Sequence, residues 1–324
     1  MGGMNERAAR WWAELPPAAG SAVLATGILS VGFHLTGAET VSRVLLGLAG
    51  ALWALLACEF ATRLLCSRRR WVAEADTPPA LTAVAATTVL GARVVLLGWT
   101  DPAAVLLALG AVLWAVLLAA VLTHLRRRMP GGVFLICVAT QGLVVLAAAL
   151  APSAGDWLAR TGAAFFVLGL LLYPVALFRF DLRQVTRGAG DQWIAGGALA
   201  ISALAGSKLL ATGVWAGSAG HTALRTTTLI VLAADLGWYA VLLGAELLRP
   251  RPGYDVRRWA TVFPMGMTAV ACLSTSTAAA VGWLDGLGRV LLWVAAAACL
   301  VTLVGTVGSV TSGKPFVASG SDFR

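Results

Sequence analysis

Few residues in this 324-residue chain have the type and spacing to do chemistry. His34, His124 and His221 lie far apart, and none belongs to a carboxylate motif. Cys58, Cys66, Cys137, Cys272 and Cys299 contain no CxxC pair. No metal cluster, disulfide framework or catalytic triad follows from such a pattern. HxxxH and GxSxG are absent as well, so an enzyme is not expected and no cofactor is implied. What remains is a small set of ionisable groups inside long apolar runs: Glu59, Arg93, Lys208 and Asp235. A charge at such depth costs roughly 2.5–3.5 kcal/mol on insertion scales, so each needs a partner, a proton or a wet path. Glu59 and Asp235 are candidates for proton coupling or for an ion pair, with Arg93 and Lys208 as available partners. The two cations near one end of their runs can raise the local concentration of anions, or they can snorkel or pair.

Hydroxyls and one aromatic complete the set. Thr26, Ser30 and His34 are spaced by four and share a helix face. They either line a polar path or bond back to their own helix. Phe263, Met267, Val270, Ser274 and Thr277 form a second face. That face opens on Phe263-Pro264-Met265-Gly266, where a bulky ring stands beside a helix-breaking residue. Pro264 removes the hydrogen bond to the Ala260 carbonyl, and a kink is expected there. A ring at a bend can line a passage and block it. The alternative is an interfacial aromatic next to a proline tolerated in a membrane helix.

The elements that position these groups are membrane helices. The chain is 59% hydrophobic and 12% charged, with a mean hydropathy of +0.84. Its charges cluster between apolar runs, so the net charge of +9 reflects topology rather than nucleic-acid binding. Ten spans are expected near 17–36, 42–65, 79–98, 103–125, 131–150, 157–178, 191–213, 222–248, 259–282 and 288–312. Each is long enough to cross about 30 Å of hydrocarbon. Of the 24 Lys and Arg residues, 18 fall at the two ends of the chain or after spans 2, 4, 6 and 8. Only Arg43, Arg160, Arg225 and Arg289 fall in the opposite loops. This alternation puts both termini in the cytoplasm. Residues 1–15 then form a cytoplasmic segment, 16–312 a single membrane domain and 313–324 a cytoplasmic tail. Glu6 and Glu14 argue against a cleavable signal peptide, and residues 4–14 with Trp11 and Trp12 suit a short interfacial helix.

The odd spans begin roughly 60 residues apart, so the chain reads as five helical hairpins in a row. The odd spans are rich in small residues; the seventh reads AGGALAISALAGSKLLATG. Small residues permit close helix packing, and equally leave room for a channel inside a ring.

Two motifs give the chain a family resemblance. The first is Pro16-Pro17 followed by Ala25-Thr26-Gly27-Ile28-Leu29-Ser30. The second is Trp259-Ala260-Thr261-Val262-Phe263-Pro264-Met265-Gly266-Met267. With ten spans and the hairpin repeat, they resemble the tellurite-resistance/dicarboxylate transporter family, which includes plant slow anion channels and bacterial TehA proteins. The resemblance implies an all-α polytopic fold, five hairpins around a quasi-fivefold axis, with odd helices inside and even helices outside. It implies a pore in each protomer of a homotrimer in the cell membrane, passing small inorganic or organic anions. Phe263 matches the family's pore-plugging phenylalanine, with Pro264 as the bend. Thr26, Ser30, Thr82, Ser202, Met267 and Ser274 are candidate lining groups, and Arg93 and Lys208 would favour anions. The alternative on the same fold is a proton-coupled exporter of C4-dicarboxylate, sulfite or tellurite-type oxyanions, in which Asp235 or Glu59 must titrate.

Overall fold

A computed structural model describes residues 19–250 and 255–312 of the chain. The expected interfacial helix at 4–14, the first prolines and the 313–324 tail lie outside the described residues. Ten helices occur at the expected spans. They are α1 (Gly20–Leu35), α2 (Glu39–Cys66), α3 (Thr82–Val95), α4 (Thr100–Thr123) and α5 (Leu135–Ala154). They continue as α6 (Asp156–Arg179), α7 (Ile194–Ala211), α8 (Ala219–Leu248), α9 (Trp259–Ala278) and α10 (Trp283–Ser312). Two shorter helices, Arg68–Ala75 and Gln184–Arg187, lie in loops. Among the described residues there is no β-strand, only an isolated bridge between Met129 and Phe180.

Eight helical stretches are long and apolar enough to cross a membrane. The two remaining are α1, with 16 residues, and α9, which carries Thr261, Thr268, Ser274, Thr275, Ser276 and Thr277. Burial explains how α9 tolerates those hydroxyls: nearly the whole helix is enclosed by protein rather than exposed to lipid.

The odd and even helices differ sharply in burial. In α3, α5 and α7, 78 to 94% of the apolar stretch is buried, against 6 to 28% in the even helices. Contacts follow the same division. α1 packs on α3, α3 on α5, α5 on α7, α7 on α9, and α9 returns to α1. Each even helix packs on the odd helix before it and also touches the odd helix after it, and α10 touches α1. Four inner helices open with a 3-10 turn, at Pro78–Leu81, Gly131–Phe134, Asp191–Trp193 and Val256–Arg258. The tighter turn sits where Pro78-Pro79, Pro130-Gly131 and Gly190 interrupt regular helix.

The seat of α9 depends on two glycines. A Cβ at Gly197 of α7 would lie 2.9 Å from Pro264 Cβ. A Cβ at Gly266 would lie 3.0 Å from Ile28 Cγ2 of α1. Pro264 is thus held against α7, while the next turn of α9 is held against α1. The proline stands inside α9 without ending it. Gly197→Ala should lower stability by about 1–3 kcal/mol through overpacking. Thermal unfolding in detergent checks this, with Gly237→Ala as control, since nothing lies within 4 Å of a methyl added at Gly237.

Candidate functional site

The hydroxyls of the inner helices mostly serve their own backbone. Thr26 Oγ1 donates to the Ala22 carbonyl at 2.8 Å. Thr82 donates to Pro79 O at 2.7 Å and Ser202 to Ala198 O at 2.6 Å. A hydroxyl has one proton, so these three cannot also donate to a passing anion without releasing a carbonyl. Ser30 is used between helices instead. It donates to Ser42 O at 2.7 Å, and Ser42 donates to Ser30 O at 2.6 Å, which fastens α1 to α2. Ser274 differs from all of these: its Oγ is buried and has no partner. Phe263 and Met267 are fully enclosed.

Charged groups divide in the same way. Arg93 is wholly buried and turned to α2, where Nε donates to Ser42 Oγ at 3.0 Å and NH2 to Glu39 Oε1 at 2.9 Å. Glu39 also holds Arg43 at 3.0 Å and lies 2.6 Å from His34 Nδ1. Arg93 therefore pairs with neither Glu59 nor Asp235. Glu59 accepts from Arg63 Nε at 2.8 Å, and Arg63 also donates to Glu74 Oε2 at 2.7 Å. That network ties the short helix Arg68–Ala75 to α2. The short helix itself is not apparent from the hydropathy pattern, because its RRRWVAEA sequence has no apolar stripe.

Lys208 is in another position. It sits in the last turn of α7, where the helix dipole favours a cation. Its side chain borders a cavity of about 30 Å3 inside the ring of odd helices. Ile28 and Val31 of α1, Thr88 of α3, Gly142 of α5 and Ile201 of α7 are among the walls. Lys208 is the one charged residue on that lining, and no hydrogen bond or ion pair engages it among the described residues. The volume suits about one water. Ile28 also meets Gly266, so Phe263 lies roughly 4.5 Å along α9 from that level, toward the helix N-terminus.

Asp235 of α8 is fully buried against α9. Thr268 Oγ1 lies 3.3 Å from Asp235 Oδ1 and 3.1 Å from the Pro264 carbonyl oxygen. Asp235 Oδ2 has no partner, and neither does Tyr239 OH one turn along α8. Sequence reading missed Glu39, Ser42 and Thr268. Thr268 had a readable signal, since a hydroxyl four residues after a helical proline can reach its carbonyl. Glu39 and Ser42 had none, because their role is set by α3 approaching α2.

The sequence profile of the voltage-dependent anion channel family matches residues 14–307. The chain belongs to that family. No curated protein matches its sequence. For a voltage-dependent anion channel homologue, anion transport is the coarse function, and the family is one of transport proteins rather than enzymes. The eight long apolar helices agree with an integral membrane protein. In this family member the Arg93–Glu39 pair is structural as built. Glu39→Gln should lower the unfolding temperature in detergent, because it leaves the buried Arg93 guanidinium without its counter-charge. The double variant Arg93→Met/Glu39→Gln should recover part of that loss in detergent unfolding.

Proposed function

We propose that each protomer passes small anions through the ring formed by α1, α3, α5, α7 and α9, with Phe263 as the constriction and Pro264 as its hinge. The single observation that carries this reading is Lys208, an unengaged cation on the wall of a cavity inside the ring. An ammonium and an anion 4 Å apart attract by about 4 kcal/mol at an effective dielectric of 20. Desolvating an ion costs several kcal/mol, so one such cation offsets the penalty without trapping the ion. Ser274, with its unused hydroxyl, is a second donor on the same ring. Thr26, Thr82 and Ser202 contribute oxygen dipoles but no free proton. Arg93 adds less to the attraction of anions, since Glu39 offsets its charge.

The reading includes ten membrane spans in five quasi-fivefold hairpins, both termini in the cytoplasm, and a homotrimer in the cell membrane. The contact ring and the basic residues in alternate loops support the topology. The trimer rests on the family resemblance. A second reading, a proton-coupled exporter of C4-dicarboxylate, sulfite or tellurite-type oxyanions, is favoured by Asp235, a buried carboxyl without a cation partner among the described residues.

The test is current across a planar bilayer in a chloride gradient. Phe263→Ala should conduct far more than the unaltered chain and reverse near the chloride potential. Lys208→Met, placed in the Phe263→Ala background, should lower that current on the order of tenfold, equivalent to about 1.4 kcal/mol. Silence from every variant, together with proteoliposome uptake of a labelled dicarboxylate or sulfite, selects the carrier.

A further inference from the structure

The outer helices repeat one contact five times. Trp53 of α2 donates to Thr87 Oγ1 of α3 at 2.9 Å, and Trp114 of α4 donates to Thr140 Oγ1 of α5 at 2.9 Å. Tyr173 of α6 donates to Ala195 O of α7 at 3.2 Å. Trp293 of α10 packs edge-on against Phe33 of α1, with centroids 5.4 Å apart. In each case a residue of an even helix fastens the odd helix of the next hairpin. The positions recur about 60 residues apart. The member of this series on α8 is Asp235, which meets Thr268 of α9. Four hairpins use an aromatic ring here, and the fourth hairpin in sequence uses a carboxyl.

Proton counting then bears on the state of that carboxyl. Thr268 has one hydroxyl proton and two neighbouring acceptors, Pro264 O and Asp235 Oδ1. Both contacts are made fully only if Thr268 donates to Pro264 O and Asp235 donates to Thr268. The surroundings offer an ionised carboxylate nothing in exchange. From α6, α8 and α9 the titratable groups that face it are Tyr173, Tyr239 and Cys272, all neutral when protonated. From α7 the backbone at Gly196 approaches, without a side chain. No lysine, arginine or histidine engages Asp235 among the described residues.

We infer that Asp235 is a proton-binding site that positions α9, holding its proton in a chain from Asp235 to Thr268 to the Pro264 carbonyl. Loss of the proton removes the donor to Thr268 and leaves an uncompensated charge between α8 and α9. The helix that carries Phe263 is then freed from its outer support at Thr268, five residues beyond that ring. Rising pH therefore loosens the Pro264 turn, and falling pH seats it. The link to Phe263 rests on the pathway proposed above; the proton site does not.

Infrared spectra of the reconstituted protein test the site directly. The unaltered chain at neutral pH should show the C=O stretch of a protonated carboxyl that is lost in Asp235→Asn. In Thr268→Val the same band should persist but shift, because its hydrogen-bond acceptor is gone. Identical spectra for the unaltered chain and Asp235→Asn overturn the proposal. If Asp235→Asn does not fold, an unshifted band in Thr268→Val overturns it. Anion flux is measured on the same samples. Flux that rises with pH in the unaltered chain, and loses that dependence in Asp235→Asn, supports the link to the gate helix; a dependence unchanged by the substitution overturns it. A silent bilayer with the band present rejects the pathway and leaves the proton site standing.

Discussion

A hydroxyl inside a membrane protein has one proton to give, and on the inner helices of this chain that proton is nearly always committed. Thr26, Thr82, Thr140 and Ser202 return theirs to the backbone of their own helix or its lead-in turn. Water is absent from hydrocarbon, so an uncommitted donor there carries a cost with nothing to relieve it. The outcome is a set of inner helices that carries many hydroxyls yet offers few free donors, around a cavity whose wall is mostly apolar. Against that background the uncommitted groups stand out, among them the ammonium of Lys208, the hydroxyls of Ser274 and Thr275 and one oxygen of Asp235. An anion pathway needs such a wall, because a dense row of free donors would hold the ion too firmly to release it.

The same economy of donors shapes the architecture. Each hairpin is fastened to the next by a side chain of an outer helix, and for the first three the acceptor is a hydroxyl or carbonyl of the inner ring. Trp53 and Trp114 give their indole protons to Thr87 and Thr140, which have already given their own to Ala83 and Ile136. Proton donation thus runs inward, from outer helix to inner helix to backbone. At α8 and α9 the direction holds only if Asp235 is a donor, which is why a single carboxyl departs so clearly from the pattern.

The ten helices and their pairing into hairpins were legible from apolar runs and alternating basic loops, because both signals are local in sequence. The chemistry of Arg93 was less so. Its position inside span 3 was plain, but its commitment to Glu39 and Ser42 depends on how α3 leans on α2, which no spacing encodes. Glu59 carried an arginine four residues later, a readable helical pair that the apolar context obscured. The lining groups chosen for their hydroxyls do not border the cavity beside Lys208, whose wall is Ile28, Val31, Gly142, Ile201 and their neighbours. Side-chain polarity is visible in a sequence, whereas the direction in which a hydroxyl has already been satisfied is not.

The closure of the inner ring has a consequence for how the chain is made. α1 rests on α9 and is also touched by α10, two helices synthesised well after it. It is short, and α9 is the helix with the most hydroxyls. From the moment α1 enters the bilayer until the ninth helix follows, one side of it has no permanent neighbour. α1 therefore waits for the hairpin of α9 and α10 before its surroundings are complete. The ring closes only when α9 is in place, and a chain stopped after α8 leaves Ile28 without the wall that Gly266 supplies.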